Sequence, residues 1–155
     1  MERSIVLIKP DAVQRGLVGE IIHRFERKGM QLVAMKMISM EDAVLDEWYA
    51  HHKDKPFFKG LKKYMQMYPT VASLWEGPNV ASTIRQMIGV TLARTAEPGS
   101  IRGDFAMSTQ YNLIHASENA EIAKREAAII FKEHEIFPWQ KLDLHLLYTQ
   151  EEMKE

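Results

Sequence analysis

The chain has 155 residues, no cysteine and a net charge of -1, with 20 Lys and Arg against 21 Asp and Glu. That length suits one domain with a real core. The mixed charge argues against a dedicated nucleic-acid or anionic-membrane binder, and the missing cysteines exclude a disulfide framework and thiolate chemistry.

The first apolar run, residues 5–8 (IVLI), reads as a buried strand stopped by Lys9 and Pro10. It is too short for a secretory leader or a membrane span, so a cytoplasmic chain with no membrane association is expected. Residues 19–28 read as a helix with Ile21, Ile22 and Phe25 inward and Gly29 as its stop. A second strand follows at 31–39. Residues 41–52 and 57–68 read as two helices, the second bounded by Pro56 and Pro69. A third strand at 71–75 leads into the turn Glu76-Gly77-Pro78-Asn79, where Asn79 is positioned to cap a helix reaching Ile88. Residues 90–100 read as a loop carrying Pro98-Gly99. A short strand, Leu113-Ile114 closed by His115, precedes a helix over about 117–132. This order fits the α/β class in its α+β form: a ferredoxin-like split β-α-β with a four-stranded antiparallel sheet and helices on one face. The tail beyond Ile136, with Trp139 and the run LHLLY at 144–148, is apolar enough to dock.

The chemistry concentrates near the last strand. His115 ends a strand just before a helix, a junction that leaves side chains open to a ligand, and a neutral imidazole can act there as nucleophile or base. On the helix, Ile122, Glu126, Ile129 and Ile130 share one face. A carboxylate among isoleucines is costly without a partner. Glu126, bonded to one ring nitrogen of His115 directly or through Ser117, would orient the imidazole and leave the other nitrogen free.

The chain carries neither GxxxxGK[ST] nor GxGxxG, so any phosphate must be held by side chains. Lys9 at the first strand end, Arg85 and Arg102 are the candidates. Arginine offers a planar fork for phosphate oxygens and lysine a compact charge. Taken singly, each is most simply a solvated surface cation. His51 and His52 read as solvated helix neighbours pointing about 100° apart, and no cluster suggests a metal held by the protein alone.

With these residues assembled, the chain closely resembles the nucleoside diphosphate kinase family over at least residues 4–131. The blocks that carry the resemblance are IKPDAVQRGLVGEII (8–22), KDKPFFKGLKKYM (53–65), WEGPNV (75–80), PGSIRGDF (98–105) and NLIHASE (112–118). The resemblance implies one domain over 1–155, with a diverged tail from about 133. It implies γ-phosphoryl transfer from a nucleoside triphosphate, typically ATP, to a nucleoside diphosphate. The route is ping-pong through a phosphohistidine, with Mg²⁺ carried on the nucleotide phosphates. His115 matches the phosphorylated histidine, and Glu126 and Ser117 match its supports. Lys9, Tyr49, Arg85, Thr91, Arg102 and Asn112 match positions that hold the phosphates, the ribose or the surroundings of the histidine. Phe57 matches the aromatic on which the base stacks, and stacking carries little base preference. Three departures stand out: His115-Ala116-Ser117-Glu118 where the family often reads HGSD, Thr109 at a usually apolar wall of the base slot, and TLART at 91–95 without the usual proline. The family also implies edge-to-edge dimers, here expected to assemble as a hexamer in preference to a tetramer or dimer. A non-enzymatic nucleotide sensor and a generic ferredoxin-like regulatory domain are the competing readings; intact His115 and Glu126 weigh against the first, and the near-neutral charge against the second.

Overall fold

The computed structural model describes residues 1–154. In chain order its elements are β1 (Glu2–Ile8), α1 (Pro10–Gln14), α2 (Val18–Lys28), β2 (Gln31–Ile38), α3 (Asp42–Trp48), α4 (Phe58–Met65), β3 (Thr70–Gly77), α5 (Val80–Ile88), α6 (Ile101–Phe105), β4 (Ile114–Ala116), α7 (Ala120–Ile130) and α8 (Leu144–Leu147), with short 3₁₀ turns between some of them. The four strands form one sheet in the order β2-β3-β1-β4, every neighbouring pair antiparallel. Because β1 and β2 are both antiparallel to β3, they run the same way with β3 between them. This is the split β-α-β expected from the element order.

Helices on one face, the other expectation, is wrong. Ile5, Val6, Leu7 and Ile8 are all wholly buried, and a strand buried along every residue must be covered on both faces. Val6 and Ile8 pack with Ile21 and Phe25 of α2, Ile84 of α5 and Ile101 of α6. Ile5 and Leu7 pack with Leu45 and Trp48 of α3, Met65 of α4 and Ile130 of α7. The period-2 geometry of β1 feeds both cores.

Local rules account for most boundaries. Pro10 ends β1 and sits at the start of α1, where its missing N–H costs nothing. Gly29 closes α2 with φ 101°, a left-handed cap that glycine adopts without strain. Asn79 precedes α5 with φ 50° but makes no side-chain cap; its carbonyl instead accepts from Ser82 Oγ at 2.9 Å. The loop over 90–100 contains the 3₁₀ turn Ala93–Thr95 and ends at Ser100, whose hydroxyl accepts from Gly103 N at 3.0 Å and starts α6. A Cβ at Gly103 would lie 2.0 Å from Glu97 O, so this close approach admits only glycine.

The tail docks in part. Phe137 N donates to Val33 O at 2.8 Å and Trp139 Nε1 to Leu32 O at 2.9 Å, beside the irregularity that shifts β2 register between Leu32 and Ala34. Leu142 and Leu146 remain exposed. Among the described residues no helix is long and apolar enough to cross a membrane.

Candidate active site

β4 starts and ends one residue later than the sequence suggested. It spans Ile114–Ala116, so His115 lies at its middle, opposite Leu7 of β1. Opposed residues share a sheet face, which puts the imidazole on the side of α3 and α7. There the Trp48 ring packs edge-on against it, centroids 5.3 Å apart.

The helix after β4 starts at Ala120, capped by Asn119 Oδ1 accepting from Ile122 N at 2.9 Å. Its buried face is Ala123, Glu126, Ala127 and Ile130, with Ile122 and Ile129 at the flanks. Glu126 is only 5% exposed, and both its oxygens are used. Oε2 accepts from Ser117 Oγ at 2.6 Å, and Oε1 lies 3.2 Å from His115 Nε2. Ser117 is fixed in turn by Ile5 N, which donates to its Oγ at 3.2 Å. The direct and the serine-assisted contact, alternatives in the sequence reading, are present together. Burial, and then the Glu126 charge, push the Tyr49 phenol well above its ordinary value, so it keeps its proton.

Leu113 is not strand. Its φ is 73°, and Ile114 N donates to Asn112 O at 2.9 Å, closing a γ-turn of the rare positive-φ kind. Such a conformation in a non-glycine residue costs on the order of 1–3 kcal/mol and clusters at functional sites. Asn112 beside it is a hub. Its Oδ1 accepts from Lys9 Nζ at 2.7 Å, and its Nδ2 donates to Thr109 O at 2.8 Å and Thr91 O at 3.2 Å.

The two buried cations are tied differently. Burial, then Arg102, lower the Lys9 amine to about 8, with Asp11 pulling the other way. Arg102 donates through Nε to Asn112 O at 3.2 Å, through Nη1 to Gly89 O at 2.8 Å and through Nη2 to Ile114 O at 2.6 Å. Burial, then Arg85, bring it down to about 10, still charged at neutral pH. Sequence reasoning assigned Arg102 to a loop end facing phosphate; it stands on α6 and braces three backbone carbonyls.

These side chains open on one cavity of about 870 Å³. Lys9, Tyr49, Phe57, Arg85, Thr91, Arg102, Asn112, His115 and Glu126 all line it, and Ser117 lies just behind Glu126. Half-exposed Phe57 stands with Leu61, Thr109 and Gln110 among its lining residues, and Gln110 Nε2 reaches Gly60 O at 3.4 Å across that part of the rim.

The reading of His51 and His52 as unrelated solvated residues is corrected. The predicted helix breaks at Tyr49, and Ala50–His52 is a 3₁₀ turn. The tighter turn brings the two rings to 3.9 Å, and His52 lies edge-on to Phe57 at 5.2 Å. Both histidines line the cavity. Burial, then His51 and Lys55, lower the His52 imidazole. Glu118, Gln110 and Arg125 also line it and were not singled out as binding groups. The position of Glu118, two residues beyond the end of β4, was the signal available for it.

The family model described as nucleoside diphosphate kinase matches residues 2–136. The chain belongs to the nucleoside diphosphate kinase family. It is 45% identical over 152 residues to the nucleoside diphosphate kinase of Parabacteroides distasonis, covering 98% of this chain and 99% of that one. The Archaeoglobus fulgidus enzyme is 44% identical over 150 residues, covering 97% and 99%. Among solved structures, the halophilic nucleoside diphosphate kinase of Halobacterium salinarum in complex with CDP superposes with a TM-score of 0.92 at 40% identity, covering 95% of this chain and 98% of that chain. A nucleoside diphosphate kinase family protein from Babesia bovis gives 0.90 at 41% identity, covering 96% and 100%. The protein is thus a nucleotide-binding phosphotransferase of this family, with the four-stranded antiparallel α+β fold of its structural neighbours.

Proposed function

We propose that the protein exchanges γ-phosphate between nucleoside triphosphates and diphosphates by a ping-pong route through phosphohistidine at Nδ1 of His115. One observation carries this reading. A buried carboxylate, Glu126, takes Nε2 of an imidazole that lines a cavity also lined by Lys9, Arg85 and Arg102. The Nε2 proton donates to Glu126 Oε1, which leaves the Nδ1 lone pair for attack.

In the first half-reaction Nδ1 attacks the γ-phosphorus, the bond from that phosphorus to the β–γ bridging oxygen breaks, and the nucleoside diphosphate leaves with the electron pair. The positive charge that develops on the imidazole is met by Glu126, itself held by Ser117. Lys9, fixed by Asn112, meets the negative charge on the transferred oxygens. In the second half-reaction a terminal phosphate oxygen of the acceptor diphosphate attacks the phosphohistidine and Nδ1 leaves. Arg85 and Thr91 take the remaining phosphate oxygens. Tyr49 steadies the carboxylate side of the imidazole. Arg102 acts chiefly by bracing the turn before β4.

Mg²⁺ enters as part of the nucleotide, where it neutralises β- and γ-oxygens. The lining residues fit that delivery: four cations, Lys9, Arg85, Arg102 and Arg125, share the cavity with Glu118, a carboxylate without an ion-pair partner among the described residues. Phe57 stacks the base, and stacking supports low base selectivity. The CDP bound by the Halobacterium relative is in keeping with a nucleotide in this cavity. The chain acts as one domain and as a homo-oligomer.

Incubation with γ-labelled ATP and no acceptor tests the reading. Label should be retained on the protein, survive alkali, be lost in acid and disappear in His115→Ala. Label persisting in that variant, or intersecting double-reciprocal lines, would overturn it.

A further inference from the structure

We propose that Asp11, held by Tyr64, is a positioning residue for phosphoryl transfer: it clamps the γ-turn at Leu113 that sets Asn112 against Lys9 and leads into the strand bearing His115. The proposal rests on His115 being the phosphoryl acceptor.

Leu113 has φ 73° and is wholly buried, so neither glycine nor solvent relieves its backbone. Something must hold the turn, and the bond within it, from Ile114 N to Asn112 O, is only part of the answer. Leu113 O accepts from Lys9 N at 2.8 Å. Leu113 N donates to Asp11 Oδ2 at 3.1 Å. Among these ties that to Asp11 is made by a side chain 102 residues away and can be removed without touching the backbone. Its other oxygen, Oδ1, accepts from the Tyr64 hydroxyl in a short hydrogen bond. Tyr64 is 2% exposed on α4 and packs edge-on against Tyr111, next to Asn112, with centroids 4.9 Å apart. Burial, and then Asp11, raise its phenol far above the ordinary value, so the hydroxyl stays a donor. One carboxylate therefore spends one oxygen on α4 and one on the turn. Neither of its hydrogen-bond partners, Leu113 and Tyr64, lines the cavity, and Asp11 is absent from the lining; only its charge acts there, on Lys9.

The consequence is geometric. Without an acceptor for Leu113 N the turn relaxes toward negative φ, and the residues on either side move with it. Asn112 Oδ1 leaves Lys9 Nζ, and the imidazole shifts against the phosphate. A displacement of about 1 Å at reacting groups can cost on the order of 10²-fold in rate. Binding, which Phe57 and Arg85 support from other elements, is left nearly intact.

The experiment follows single-turnover phosphorylation of the enzyme by γ-labelled ATP, with circular dichroism melts as the folding control. Asp11→Ala should label roughly tenfold to a hundredfold more slowly at saturating ATP, while KM changes by less than about twofold. Asp11→Asn keeps an oxygen for Leu113 N and an N–H that Tyr64 can accept, and should recover most of the rate. Hydrogen exchange at the Leu113 amide should be faster in Asp11→Ala and near wild type in Asp11→Asn. Tyr64→Phe, which keeps the ring packing, should slow labelling severalfold and serves as the test should Asp11→Ala fail to fold. Labelling at the wild-type rate in Asp11→Ala and Tyr64→Phe, a change in KM alone, or Asp11→Asn as slow as Asp11→Ala would overturn the clamp. A wild-type enzyme that retains no label would sink the phosphohistidine reading instead, and the clamp is then judged on Leu113 exchange.

Discussion

Glu126 Oε1 lies 3.2 Å from Nε2 of His115 although the two residues sit on different elements. The contact exists because β4 pairs with β1 and α7 packs back over the same strand, with Ser117 Oγ bonded to both Ile5 N and Glu126 Oε2. A charge this deep is tolerated only when its oxygens are satisfied, and here one is spent on orienting the imidazole.

Glu126→Gln is therefore expected to fold and to phosphorylate slowly. The amide matches the shape and still accepts from one partner, but it carries no charge against the developing imidazolium. By analogy with loss of one electrostatic donor, kcat should fall by about 10²-fold or more, with the melting temperature little changed. Stopped-flow phosphorylation across pH checks this; full activity at every pH would make Glu126 a packing residue.

Lys9 should set the alkaline limb of the free enzyme. Its amine is lowered by burial, then by Arg102, to about 8, so it is charged below that pH and loses its proton as pH rises through it. The charged form is the useful one, hence kcat/KM, which reports the free enzyme, should decline above about pH 8. Bound phosphates favour the ammonium, so the limb in kcat should lie at higher pH. Lys9→Ala should lose about 10²–10³ in kcat together with the limb. A flat kcat/KM profile to pH 10 in wild type would remove Lys9 from this role.

Arg102→Lys tests whether the guanidinium braces more than it binds. Three N–H groups reach three carbonyls, Asn112 O, Gly89 O and Ile114 O, and a single ammonium cannot span all three. Each buried carbonyl left without a partner costs about 1–3 kcal/mol. The variant should melt lower by about 2 kcal/mol or more in stability and lose turnover as well, measured by urea unfolding and steady-state kinetics. Unchanged stability with only a raised KM would make Arg102 a plain phosphate contact.

Much of this site was legible in the sequence, and the parts that were not have physical reasons. Period-3.6 spacing put Glu126 on an inward face, and the buried Glu126 bears this out. The run 5–8 announced a buried strand, yet which helices cover each of its faces, and so the exclusion of helices on one face, follows only from the tertiary packing of α2, α5 and α6 on one side and α3, α4 and α7 on the other. Leu113 reads as strand because its side chain is apolar; its positive φ goes with bonds to Asp11 and Lys9, near the other end of the chain, and with Arg102 on the Asn112 carbonyl, none of which an apolar pattern announces. The pairing of His51 with His52 is hidden in the sequence because a helical pattern runs through Tyr49, where α3 in fact stops and a tighter turn begins. Ser100, by contrast, was findable: a serine before Ile101 with Asp104 in the next turn is a helix-start signal.

Assembly should follow two exposed apolar surfaces. β2 is an outer strand of the sheet with Met35 and Met37 exposed, and an unpaired edge invites a twofold mate. The tail bonds the β2 backbone only at its start, through Phe137 N and Trp139 Nε1 on Val33 and Leu32, and meets Lys36 only through the Glu135 side chain, so the backbone edge over 34–38 is the part offered for pairing. The second surface is the loop over 90–100, where Val90 and Leu92 are exposed despite the missing proline. Its conformation is held from inside by Asn112 Nδ2 on Thr91 O and by Ser100 Oγ donating to Glu97 O at 2.6 Å, so rigidity does not depend on that proline. Exposed Leu142 and Leu146 add apolar surface on the tail. The resulting expectation is a hexamer built from dimers. Sedimentation equilibrium at micromolar concentration should give six chains for wild type, and Leu92→Glu should fall to two chains while each still labels at His115. A wild-type mass of two or four chains would mean that the altered loop no longer joins dimers into the hexamer.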